Sequence, residues 1–144
     1  MTVTLRMPTI SMVMIDRTKA DWTDDPTRFS GRVGRQPLAT TEEGIGALAV
    51  FFDAGSRTRP HLHAYDQILI CIDGEGVVAT AAPFEDPEVV TIRPADVVHV
   101  PRSTWHWHGA KRDSPMTHVS ILVQDEGDLW EGVDPKDWEE YREA

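Results

Sequence analysis

Gly55-Ser56-Arg57-Thr58-Arg59-Pro60-His61-Leu62-His63-Ala64-Tyr65-Asp66-Gln67, followed after six residues by Gly74, is the stretch that decides the fold. Side chains on an extended strand alternate between its faces, so His61 and His63, two positions apart, look to the same side. Gln67 lies just past a tight connection and can turn back to that side. A second stretch, Pro101-Arg102-Ser103-Thr104-Trp105-His106, brings a third imidazole from a distant strand. Three imidazole nitrogens and one amide oxygen converging on a point form a donor set for a divalent metal.

Outward from this stretch the chain reads as short strands separated by turns. Ala47–Phe52 is an apolar run bounded by Gly46 and by Asp53-Ala54-Gly55. Gln67–Ile72 is another, closed by Asp73-Gly74, a pair that signals a hairpin and makes Gly76–Ala81 its returning strand. Val89–Ile92, Val97–Val100, Thr104–His108 and Met116–Val123 complete the set. Strands this short and this regularly spaced predict a sandwich or barrel. One short helix is expected at the C-terminal end, with Asp134 as N-cap, Pro135 as first residue, and Trp138 and Tyr141 on one face. The first 40 residues support one or two strands that cover the barrel or pair with a second subunit. The organisation expected is therefore residues 1–40 as N-terminal strands and arm, 41–127 as barrel and 128–144 as the helix.

Bulk properties bound the function. A chain of 144 residues is one domain and buries a core without disulfides. Its one cysteine, Cys71, lies in an apolar run and reads as a small buried residue, in keeping with a reducing, cytoplasmic setting. No run approaches the ~20 apolar residues of a membrane span, and the N-terminal residues show no signal-peptide pattern. With 24 acids against 14 bases the net charge is −10, which disfavours nucleic acid and anionic membranes as partners. A small-molecule substrate stays open.

These motifs resemble the cupin family. Gly55, His61, His63, Gln67 and Gly74 match the spacing of its first motif, with Gln67 where the usual pattern has Glu. Pro101, Ser103 and His106 match its second, with Ser103 in place of a glycine. The resemblance implies an all-β jelly-roll barrel and a homodimer or larger assembly. Trp105-His106-Trp107-His108-Gly109-Ala110 and Met116-Thr117-His118 further resemble a subgroup of small bacterial cupins that includes manganese-dependent hydroxynitrile lyases. That likeness implies His61, His63, Gln67 and His106 as metal ligands, manganese ahead of Fe, Ni, Co or Zn, and His118 as a proton carrier beside the metal.

Chemistry follows from the donor types. With Gln67 rather than Glu no ligand carries negative charge, so a bound ion keeps nearly its full +2 and polarises a hydroxyl or carbonyl oxygen strongly. His108 shares its strand face with His106, and His118 shares one with Ser120 and Leu122, so the pocket gains a fourth and a fifth imidazole. A neutral histidine beside a bound hydroxyl is a competent base near neutral pH. Either Leu48, Val50 and Phe52 or Ala47, Ala49 and Phe51 supply an apolar wall. The expected activity is lyase-like chemistry on a small hydroxy or carbonyl compound, as in hydroxynitrile lyases. The alternatives are an oxygen-dependent, dioxygenase-like cupin, a uronate-processing cupin, and a non-catalytic metal-containing module that binds a small ligand. Arg57 and Arg59 read as solvated loop arginines or as anchors for a substrate carboxylate. His99 reads as structural, and Trp105 and Trp107 as packing on the face opposite the histidines.

Overall fold

The computed structural model describes residues 9–81 and 86–124. After a single 3-10 turn at Arg17–Lys19 the chain forms strands β1 (Asp21–Thr23), β2 (Phe29–Ser30), β3 (Val33–Thr40), β4 (Ile45–Phe52), β5 (Arg57–Thr58), β6 (Gln67–Gly74), β7 (Gly76–Thr80), β8 (Val89–Ile92), β9 (Val97–Val100), β10 (His106–Ala110) and β11 (Met116–Val123). They build a six-stranded sheet in the order β1-β3-β4-β11-β6-β9 and a five-stranded sheet in the order β2-β5-β10-β7-β8. Every described pairing is antiparallel. The fold is all-β, as the strand pattern predicts; the expected C-terminal helix lies outside the described residues.

Alternation decides what each strand buries. On β4, Leu48, Val50 and Phe52 face the space between the sheets, which settles the choice the sequence left open. Phe52 joins Leu69, Val78, Ile92 and Met116 in the buried core between the sheets. Phe51, on the other face, is buried as well, because Trp22 lies over it with ring centroids 6.4 Å apart. On β11 the inward set is Met116, His118, Ser120 and Leu122. Against β6, Thr117 pairs with Asp73 while His118 pairs with Cys71, so the β6 side carries an extra residue beside His118. Bulges of this kind re-aim side chains next to sites.

Two expectations need correction. β6 and β7 are not a hairpin: β6 pairs with β11 and β9, whereas β7 pairs with β10 and β8. Gly74, in the left-handed region at φ 73°, carries the chain from one sheet to the other. A Cβ there would fall 1.8 Å from the Pro115 carbonyl oxygen, so only glycine fits this crossing. The described part of the first 40 residues, 9–40, holds three strands where one or two were expected, and β3 is paired with β4 from Val33 to Thr40. Before β1, Ile10, Met12 and Met14 are exposed.

Candidate metal centre

The run Trp105–Ala110 is legible once β10 is placed. His106, His108 and Ala110 point between the sheets. Trp107 points outward and packs with Val77, Ala79 and Ala81. Gly109 also points outward, and a Cβ there would lie 2.3 Å from that of Arg57. The missing side chain makes room for Arg57, which is 2% exposed and lies 5.2 Å from the Trp107 ring centroid. Arg57 is thus neither a solvated loop arginine nor a substrate anchor, because its neighbour Thr58 takes the inward position. Arg59 donates through Nε to the Pro26 carbonyl and also lies away from the cavity lining.

Backbone contacts bring the three histidines together. His61 and His106 exchange both N–H···O bonds at 2.9 Å, an isolated bridge between the two sequence motifs. Ser103 N–H donates to the His63 carbonyl at 2.8 Å, tying the second motif to the first. The rings of His61 and His106 stand 4.3 Å apart, those of His61 and His63 4.8 Å. One nitrogen from each of the three lies within 4.8 Å of the others, and all three residues are buried.

Electrostatics favour a cation at their centre. Burial, reinforced by His106 and His63, holds His61 well below the usual histidine range, and burial takes His106 down to about 4. Both rings are therefore neutral at pH 7, the form that ligates a metal. His61 Nδ1 faces the Arg59 carbonyl at 2.7 Å and His106 Nδ1 faces that of Thr104 at 2.8 Å. A carbonyl only accepts, so each Nδ1 carries the proton and each Nε2 is the unprotonated nitrogen. His106 Nε2 nevertheless faces Gln67 Oε1 at 3.2 Å, lone pair to lone pair. Gln67 Nε2 donates to Ser120 Oγ at 2.8 Å, which holds the oxygen inward. With the amide turned over, Nε2 would donate to His106 and Oε1 would accept from Ser120; a cation selects the arrangement with oxygen inward. The donor set fits a divalent ion.

Beside this cluster sits a second pair. His118 Nε2 and His108 Nδ1 are 2.9 Å apart, joining the two sheets through one shared proton. His108 Nε2 and His118 Nδ1 are buried without a hydrogen-bond partner. The His108 ring is 5.4 Å from His61 and 5.7 Å from His106, so His108 stands between the triad and His118. Burial lowers His118 to about 4; burial and then His118 push His108 well down. His61, His63, Gln67 and the pair line one cavity of about 300 Å³, whose wall includes Leu48, Val50 and Leu122, while His106 faces a neighbouring cavity with Val78, Val98 and Val100.

The model of the Cupin_2 family, a cupin domain, matches residues 49–122. The chain belongs to the cupin family. An (R)-mandelonitrile lyase of Granulicella tundricola is 33% identical over 125 residues, covering 85% of this cupin and 88% of the relative. An acireductone dioxygenase of Microcystis aeruginosa is 39% identical over 49 residues, 34% of this chain and 27% of the relative. Among solved structures, a cupin-like protein of Thermotoga maritima superposes with a TM-score of 0.72 at 29% identity, covering 89% of this chain and 96% of that one.

Within this cupin, His61, His63, His106 and Gln67 meet where the two sequence motifs converge, and His108 and His118 meet each other. His99 lies outside the cluster, exposed, with Nε2 2.8 Å from Asp66 Oδ2. Cys71 is buried, and burial raises its thiol pKa, in line with a packing role. Ser120, Thr58, Phe29, Arg28 and Arg35 also line the cavity. Ser120 was visible through its shared face with His118; Thr58, Phe29 and Arg35 lie on strands whose inward face only the pairing reveals, and Arg28 lies in the turn before β2.

Proposed function

We propose that this cupin is a metal-dependent enzyme of lyase-like chemistry on a small hydroxy or carbonyl compound, with cyanohydrin cleavage as the leading reaction. The observation that carries the reading is the buried His108–His118 pair opening on the same cavity as His61, His63 and Gln67. A divalent ion held by His61, His63, His106 and Gln67, with manganese first among Mn, Fe, Ni, Co and Zn, supplies Lewis-acid polarisation of the substrate oxygen when bound.

The residues do the rest. Leu48, Val50 and Leu122 take the substrate's apolar part and exclude water. The neutral pair takes the hydroxyl proton, with His118 as its carrier and His108 completing the hydrogen bond. The O–H electron pair becomes the carbonyl π bond, the carbon–cyanide bond breaks, and its electrons leave with cyanide. The proton then passes from imidazolium to cyanide, giving aldehyde and HCN with no oxidant. Burial makes the imidazolium costly, so the proton is returned rather than kept.

Manganese-loaded protein is expected to release cyanide from mandelonitrile. His118→Ala should lower kcat by about 10²–10⁴-fold while elemental analysis finds the same metal content. Unchanged turnover would remove His118 from the reaction. The match to acireductone dioxygenase favours oxygen-dependent chemistry as the second reading, which activity lost under anaerobic conditions would select.

A further inference from the structure

The cavity wall holds no described aspartate or glutamate, yet it includes Arg28 and Arg35. Arg35 pairs with Val50, and Val50 pairs with His118, so the three share one inward-facing row across β3, β4 and β11. Two strand spacings separate Arg35 from His118, roughly 10 Å between their backbones. The Arg35 guanidinium lies 5.6 Å from the ring centroid of buried Phe29, which sets its direction. Arg35 forms no ion pair among the described residues; Asp25, outside the cavity lining, feels its charge but approaches Arg28 instead, at 3.9 Å. In a chain of net charge −10, this cavity wall therefore carries the Arg35 guanidinium beside an Arg28 that Asp25 partly offsets, and the side chains that would hold a metal there are all neutral.

We infer that the cavity takes a small hydroxy- or oxo-carboxylate, with its carboxylate on Arg35 and its hydroxyl or carbonyl oxygen toward the histidine triad. This rests on the metal reading above and narrows its substrate class, small hydroxy or carbonyl compounds, to those that also carry a carboxylate, which a cyanohydrin does not. A guanidinium half-buried at a cavity wall suits a carboxylate, which it can hold through two parallel N–H···O bonds. Arg35 and the His108–His118 pair line the same cavity, so an acid held by the arginine would have its α-carbon between the two. About 300 Å³ admits such a molecule and excludes a polymer.

The test is calorimetric binding of mandelate and of its neutral isostere mandelamide, with manganese-loaded and with chelator-treated protein, so that no turnover is needed. Wild type should bind mandelate at least about tenfold more tightly than mandelamide, and the preference should persist in part without metal. Arg35→Met should abolish the metal-free preference, whereas Arg35→Lys should retain some of it. Equal binding of the two probes by wild type, or a metal-free preference undiminished in Arg35→Met, overturns the inference. Mandelonitrile turnover alongside equal binding would sink this inference alone. Failed turnover alongside an Arg35-dependent preference would sink only the lyase reading.

Discussion

At the scale of single residues, the centre depends on groups that set the state of their neighbours. Ser120 accepts from the Gln67 amide and so supports the orientation with oxygen inward, the one that can serve a cation. Ser120→Ala removes the acceptor, leaves a buried N–H unsatisfied and lets the amide turn toward His106. Metal affinity should fall about 10–100-fold, the usual effect of losing a partner that orients a ligand, with little change in the circular dichroism spectrum. Competition against a chelator of known affinity measures it, and an unchanged affinity would show that the Gln67 oxygen is not a ligand. The place of Gln67 beside the histidines was readable from its spacing. The role of Ser120 was not, because a serine on the right face declares a hydrogen bond only when its partner's strand is known.

At the scale of elements, legibility followed the range of the forces involved. β8, β9 and β11 lie where alternation and flanking turns place them, because those signals are local. The Asp73-Gly74 turn is equally local, yet it cannot say whether the next strand pairs back or crosses to the other sheet. That is decided by Pro115 and Met116, some forty residues away, packed against Gly74. β1 and β2, of three and two residues, are too short to show a period, and β3 gives no inward face until its register with β4 assigns Arg35. Two turns also hold strain. Ala95 (φ 76°) and Ser103 (φ 59°) occupy the left-handed region, Ala95 in a four-residue turn closed by Asp96 N–H to the Arg93 carbonyl at 2.9 Å. This conformation costs an L-residue roughly 1–2 kcal/mol, offset in part by the greater unfolded freedom of glycine, about 0.4–1 kcal/mol. Ala95→Gly and Ser103→Gly should each raise stability by about 0.5–1 kcal/mol in urea unfolding. A loss of stability in both would mean that the left-handed turns are not populated.

For the whole molecule, clustering buried imidazoles between two sheets links folding to pH. In the unfolded chain a histidine takes up a proton near 6.5, whereas folded His106 and His118 do so only near about 4. Between those values the unfolded state binds more protons, so stability rises with pH across the window and falls as acid is added. Each group accounts for on the order of 3 kcal/mol over the full window, and His61 and His108 shift in the same direction. Set against a typical total of about 5–15 kcal/mol, this should unfold the metal-free protein on acidification, before the lowered carboxylates Asp16, Asp25 and Asp66 titrate, since their contribution is lost only below about 4. A divalent ion competes with protons for the triad, so saturating manganese should move the acid midpoint to lower pH. It should not remove the dependence, because His118 lies outside the proposed ligand set. Urea midpoints measured from pH 7.5 down to pH 4, in chelator and in excess manganese, separate the two contributions. A midpoint that stays flat through this range without metal would mean that the folded imidazoles take up protons as readily as the unfolded ones, so that burial does not hold them neutral.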